Sequence, residues 1–355
     1  MTIPEIILFS SYSCVLNKWN IPRVDAVREF FPVLYQEHID QLVDGFRFWR
    51  DFPEYMLVKG VKFDKKKEVK YCAVKCSKRG NDVFSRRLDC KLGFFSSDKL
   101  KDFEYFNVDD WEKGRDIKTR LLWVTLNFDS KRCSLDDAWK NISKEYNKWI
   151  TNLRNKYGRI MAFKNIQAFP EKEDGTRGKA FGYPHIHIVL HFLDYEFDVF
   201  PRNEYDREGR LGLVWRIEEK DELHDQGKWH SFSDVKAITG VRGVLNYCRK
   251  HGQNSVYGDS EEATLNCALT WFYNKHTYSL SKDFRKHLVE YMKILHNSKT
   301  FFQETLVGSG KLVWTWTFLG IWSGVRLNVD AASWVYKLDN RVGQQLEEKY
   351  MSRKS

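Results

Sequence analysis

From residue 121 onward the apolar positions switch between two periods. The run Leu121-Leu122-Trp123-Val124-Thr125-Leu126-Asn127-Phe128-Asp129 is almost continuously apolar and turns polar at Asn127 and Asp129, which predicts a central buried strand. Ser134 then stands where a helix cap belongs, with Asp136 and Asp137 in the first turn, where the dipole favours anions. Leu135, Ala138, Ile142, Tyr146, Trp149, Ile150 and Leu153 keep helical spacing until Gly158 marks the end. A further strand is expected over 160–171, and the charged, glycine-containing run from Glu171 to Lys179 returns the chain as a hairpin. The returning strand is Gly182-Tyr183-Pro184-His185-Ile186-His187-Ile188-Val189-Leu190-His191-Phe192. Alternation puts Ile186, Ile188 and Leu190 on one face and His185 and His187 on the other. The preceding strand lies beside them, and its polar residues Asn165, Gln167 and Glu171 share one face by the same rule.

The flanks carry weaker patterns. Val24-Asp25-Ala26-Val27-Arg28-Glu29-Phe30-Phe31 is helical and Pro32 should end or kink it; a second helix is expected over 36–49, with Ile39, Leu42, Val43 and Phe46 in phase. Residues 55–95 break into short alternating runs such as Glu68 to Lys75, punctuated by the turn signal Lys78-Arg79-Gly80-Asn81-Asp82. Basic residues are dense in this segment, either as a DNA-contacting surface or as a solvated strand face. Residues 96–118 suit a linker or long loop, and 194–230 an insertion or paired surface strands. Ser233-Asp234-Val235-Lys236 is expected to open a helical region that runs to Gly252, with Val241, Val244, Leu245 and Cys248 as its apolar stripe. Tyr247 and Lys250, three positions apart, project together from a neighbouring face. The expected fold class is α+β, a central antiparallel β-sheet with helices packed on one face. The chain divides into a helical then β-rich basic region (1–115), a central domain (116–255) and an aromatic-rich C-terminal region (256–355).

Composition narrows the function classes. Hydrophobic residues at 42% and charged residues at 30% describe a folded globular chain rather than a disordered one. The apolar run from Leu312 to Trp322 falls short of the roughly 18 to 20 residues of a membrane helix, and no secretory leader pattern opens the sequence, so a cytoplasmic protein without a membrane partner is expected. A net charge of +10 suits a polyanionic partner, and 15% aromatic residues interleaved with Lys and Arg suit single-stranded nucleic acid, although most of those rings must fill the core. Seven cysteines, an odd number, argue for reduced thiols. Cys72, Cys76 and Cys90 lack the fourth ligand a closed zinc shell needs.

The histidine strand holds the densest candidate chemistry. Side chains at i and i+2 of a strand stand roughly 6.6 Å apart, close enough for two neutral imidazoles to lean toward one divalent ion, whereas His191 lies roughly 13 Å beyond His187. Two polar residues on the wetter face of an ordinary strand give the same pattern, so the pair alone does not decide.

Three segments in order do more. A strand ending Thr125-Leu126-Asn127-Phe128, the run Gly182-Tyr183-Pro184-His185-Ile186-His187, and Val244-Leu245-Asn246-Tyr247-Cys248-Arg249-Lys250 together resemble the HUH endonucleases, specifically the single-tyrosine rolling-circle replication initiators of archaeal-type plasmids and viruses. The resemblance covers about residues 120–252, and Ala268 to Ser281 resembles a segment that follows in archaeal-type initiators. It implies an RRM-like fold around the sheet and metal-dependent, site-specific nicking and joining of single-stranded DNA at a replication origin, alongside the host replication machinery. By analogy Tyr247 is the nucleophile, forming a 5′-phosphotyrosyl link and freeing a 3′-OH. His185 and His187 hold Mg or Mn, and Lys250 stabilises the phenolate or the phosphorane.

Two positions depart from the family pattern. Where two-tyrosine initiators carry a second Tyr, four residues after the first, this chain has His251. Where many relatives supply a Glu or His before the histidine pair, register points to Gln167, with Glu171 as the alternative third ligand. HUH transposases and conjugative relaxases share the same motifs, and a nucleic-acid-binding protein without chemistry is the non-enzymatic reading. Gly308-Ser309-Gly310-Lys311-Leu312 does not make a P-loop, since Thr305 replaces its first glycine and Leu312 its Mg-holding hydroxyl, so no ATP-driven helicase is expected.

Overall fold

The computed structural model describes residues 24–62, 68–85, 112–172, 174–205, 209–220, 223, 234–238, 260–283, 314–323 and 335–351. Its centre is an antiparallel sheet built from β4 (Leu121–Asn127), β5 (Ile160–Ala168), β6 (Pro184–Phe192), β9 (Asp234–Ala237) and β10 (Tyr278–Leu280), in the order β10-β5-β6-β4-β9. The histidine strand β6 lies in the middle. Ile186, Ile188 and Leu190 are fully buried on one face of it, joined there by Leu122, Val124 and Leu126 of β4 and by Ala162 and Ile166 of β5.

Helices cover that face. The longest is α3 (Leu135–Tyr157), which starts as its sequence predicts: Ser134 Oγ accepts from the Asp137 amide at 3.1 Å. Gly158, at φ +82°, ends it. Trp139 is fully buried and donates from Nε1 to the Gly182 carbonyl at 2.8 Å, which ties α3 to the entry of β6. Two shorter helices precede the sheet, α1 (Val24–Phe30), which stops before Pro32, and α2 (Ile39–Asp51). Opposite α2 packs α4 (Glu261–Phe272), a helix buried along almost its whole length and capped by Ser260. Phe46, Trp49 and Trp271 fill the space between them, the two indoles stacked at 5.2 Å.

A second sheet joins the two flanks of the chain. The strands β1 (Glu54–Lys62), β2 (Val69–Lys75), β11 (Trp314–Ser323) and β12 (Val335–Leu338) pair in the order β11-β1-β2-β12, so parts of the regions bounded at 115 and 255 share one ladder. Tyr55, Leu57, Tyr71, Ala73 and Leu338 form a small core on it beside α5 (Asn340–Met351). Glu347 of α5 accepts from Lys59 at 2.8 Å and from the Tyr71 hydroxyl at 2.5 Å.

The 194–230 region supplies paired strands. The hairpin β7 (Phe197–Tyr205) and β8 (Leu211–Ile217) extends from the short β3 (Lys118–Thr119). Among the described residues no helix is long and apolar enough to cross a membrane.

Two local readings need correction. Asp234–Ala237 is not the start of a helix but the edge strand β9, paired with β4 from Leu122 to Thr125. Four residues are too few to show a period, and the cap-like Ser-Asp pair is outweighed by a place for Val235 and Ala237 in the sheet core. The strand before the histidines ends at Ala168, so Glu171 does not continue its polar face. Glu171 sits in the loop instead, bound to Arg177 at 2.6 Å, and Arg177 also bridges to Asp40 of α2 at 2.7 Å.

Candidate metal centre on the open sheet face

Ladder register assembles the site. Across β5, β6 and β4 one row reads Gln167, His185, Asn127, and the next reads Asn165, His187, Thr125, continuing to Asp234 on β9 and Tyr278 on β10. Directly opposed residues in an antiparallel ladder share a face, so both rows lie on the side of the sheet away from α3. Strand pairing thus gathers into one patch residues that are widely separated in the chain. The imidazoles of His185 and His187 meet edge to face with ring centroids 4.8 Å apart.

Each ring is held in place. Phe169 packs against His185 at 4.2 Å between centroids, while Trp123 stacks on His187 at 5.3 Å and 28°. Thr125 Oγ1 lies 3.1 Å from His187 Nδ1. In the tautomer with a proton on Nδ1, the ring donates to the threonine hydroxyl and the lone pair sits on Nε2, the arrangement that metal-binding histidines generally need. His185 is 6% exposed and Gln167 4%, whereas His187, Thr125 and Asn127 are half-buried, so the patch opens on the His187 side.

Asn165, one of the three polar residues expected on this face, lies where its register predicts. It is 1% exposed, directly opposite His187, and neither its Oδ1 nor its Nδ2 has a hydrogen-bond partner. Buried side-chain amides are nearly always satisfied, and an orphaned one costs about 1–3 kcal/mol per group.

At the β9 edge the charges are paired. Arg216 of β8, itself buried, donates to Asp234, Glu204 and, at 2.6 Å, the Val235 carbonyl. Burial pushes the Asp234 carboxyl up, but hydrogen bonds from Lys236 and Arg216 outweigh it and hold the group below its ordinary range. The Arg216 hydrogen bond does the same for Glu204. On the opposite, helix-covered face stands Lys164, with Nζ 3.7 Å from the centre of the Tyr146 ring; burial, then the nearby Lys275, pushes its ammonium down to about 8.

The structure therefore brings together His185, His187 and Gln167. It leaves Glu171 out on the hairpin loop, and Tyr247 and Lys250 lie outside the described residues. Among the described residues no group of three or more His, Cys, Asp or Glu side chains is placed to hold a metal ion, so amide oxygens would have to supplement the histidine pair. Cys72 and Cys76 are free thiols, and Cys90 lies outside the described residues. The sequence pattern did not single out Thr125 as a partner of His187, because β4 and β6 pair across the whole of α3 and β5. No family model, curated protein or solved structure matches the chain.

Proposed function

We infer that the chain is an HUH-type rolling-circle replication initiator that nicks and rejoins single-stranded DNA at an origin, working in the cytoplasm of a plasmid or virus host with the host replication machinery. One observation carries this reading: His185 and His187 project from the central strand onto one face, rings 4.8 Å apart, flanked on β5 and β4 by neutral polar side chains. An antiparallel sheet with helices on the other face is compatible with the RRM-like fold that the motif resemblance implies.

The donor set suits a divalent ion. His185 and His187 would hold Mg or Mn with the Gln167 amide oxygen, and the unpartnered Asn165 amide beside them fits a face built to receive a polar guest. A bound cation would polarise the scissile phosphate as a Lewis acid. Thr125 and Trp123 orient the His187 ring toward that guest. In the reaction Tyr247 loses its phenolic proton, its oxygen bonds to phosphorus, and the P–O3′ bond breaks to leave a 5′-phosphotyrosyl link and a protonated 3′-OH. Lys250 offsets the developing negative charge. Attack by a 3′-OH on the same link reverses the step and joins ends.

The test is incubation with origin-derived single-stranded oligonucleotides and Mn or Mg, scored by a covalent protein–DNA adduct. The adduct should vanish in Tyr247→Phe and fall sharply in His185→Ala and His187→Ala. An adduct unchanged by Tyr247→Phe removes the assignment, and activity insensitive to both histidine variants favours a binding protein without this chemistry.

A further inference from the structure

We propose that single-stranded DNA leaves the histidine patch over β4 and β9 and runs onto the β7–β8 hairpin, where Phe200 stacks on a base and Arg202 binds a backbone phosphate; the choice of DNA as ligand rests on the function inferred above. Register and one arginine carry the face from the main sheet to the hairpin. The His187 row passes through Thr125 to Asp234 on the edge strand β9. Arg216 of β8 donates to the Asp234 carboxylate and to the Val235 carbonyl, so its side chain lies on the histidine side, while its neighbours Trp215 and Ile217 point into the helix-covered core. Phe200 is directly opposite Arg216, and Arg202 follows two positions along β7, so both share that side.

Exposure rises along this line. Gln167 and His185 are buried, and His187, Thr125 and Trp123 are half-buried. Beyond them Phe200 is 39% exposed and the Arg202 side chain 63%. A lone exposed ring is ordinary, but an exposed ring with guanidinium groups beside it, on the face that carries the histidine pair, is how a surface for unpaired bases is built. The charges favour an anion. On this side of β3, β7, β8 and β9 stand Lys118, Arg202, Arg216 and Lys236 against Asp198, Glu204 and Asp234. Lys118 bridges Asp198 at 3.5 Å, Lys236 bridges Asp234 at 2.8 Å, and Arg216 holds both Asp234 and Glu204. Arg202 is the surplus cation: its one carboxylate among the described residues is Glu204, 3.7 Å from Nε and already bound by Arg216. Phe200 and Arg202 thus present a stacking face and a phosphate donor side by side, as base and backbone of one strand require.

The experiment compares the wild-type chain with Phe200→Leu, Phe200→Tyr and Arg202→Gln by fluorescence anisotropy in EDTA, using a labelled mixed-sequence single-stranded DNA and its duplex over a series of salt concentrations. Phe200→Leu should bind the single strand about tenfold more weakly with an unchanged salt slope, the loss of one stacked base, and Phe200→Tyr should bind as wild type does. Arg202→Gln should bind more weakly and lower the steepness of the salt dependence by about 0.7, the loss of one phosphate contact. Duplex affinity should be the same in Phe200→Leu and wild type, because paired bases offer no face to the ring. Single-strand affinity unchanged in Phe200→Leu overturns the proposal, as does an equal loss on duplex or a loss shared by Phe200→Tyr. A salt slope unchanged in Arg202→Gln removes the phosphate contact. If a Tyr247 adduct forms while all three variants bind as wild type does, the nicking function stands and this track falls; both binding losses without any adduct mean the reverse.

Discussion

The hydroxyl of Thr125 and Nδ1 of His187 lie 3.1 Å apart across the β4–β6 ladder, and this contact sets which imidazole nitrogen faces the open side of the sheet. Removing the hydroxyl while keeping the shape, as in Thr125→Val, frees the ring to adopt either tautomer and to turn against Trp123. Mn affinity by calorimetry should then fall about ten- to a hundredfold, the usual effect of losing an outer partner of a metal-binding histidine. Thr125→Ser restores the hydroxyl and should recover most of it. Equal affinity in all three proteins would mean that the contact is incidental.

The entry to the histidine strand depends on Gly182. Its φ of +76° is a left-handed conformation that other residues enter only with strain, and an added Cβ would stand 2.4 Å from Ile39 Cδ1 in the buried seam between α2 and β6. Gly182→Ala should destabilise the fold by roughly 1–3 kcal/mol, read as a lower urea midpoint with an unchanged slope. Ile39→Val in the same background shortens the opposing side chain and should recover part of the loss.

Local pattern was enough for the elements that carry the histidines. The cap at Ser134, the helical stripe from Leu135 to Leu153 and the alternation around His185 and His187 are all short-range signals, and α3, β5 and β6 form where those signals lie. What escaped the pattern is long-range. Asp234 to Ala237 resembles a helix start until β4 offers it an edge, and β1 and β2 show no sign in the sequence that their partners are β11 and β12. The same holds at the site. Gln167 and Asn165 follow from hairpin register, but the placing of Thr125 beside His187 requires a pairing that spans a helix and a strand.

Arg216 clips the β7–β8 hairpin to the edge of the main sheet. Arg216→Met would remove the cation that Glu204 and Asp234 share, leaving Asp234 its bond to Lys236, and because both carboxylates are partly exposed the cost should be about 1–3 kcal/mol. Both carboxyls are held below their ordinary range in the folded protein, so their contribution is present above the unfolded values near pH 4 and is lost as pH falls through the folded ones. The acid limb of the stability curve should therefore begin at higher pH in Arg216→Met. Lys at this position keeps a charge but not the fork that reaches two carboxylates and a carbonyl, and should rescue only in part.

Lys164 has the opposite sign. Burial and the neighbouring Lys275 lower its ammonium from 10.5 to about 8, so between these values the unfolded chain holds a proton that the folded protein has released. Stability should rise with pH across that window and be flat in this respect below it, where both states are charged. At pH 7 the folded protein bears a desolvated cation, offset in part by the Tyr146 ring 3.7 Å from Nζ. Lys164→Met keeps the length and drops the charge. It should raise stability at pH 7 by about 2 kcal/mol, allowing for solvent screening, and remove most of the gain between pH 8 and 10. Urea unfolding of both proteins at pH 7 and pH 10 checks this: a wild-type stability that falls over that interval while Lys164→Met tracks it would show that Lys164 stays charged in the fold.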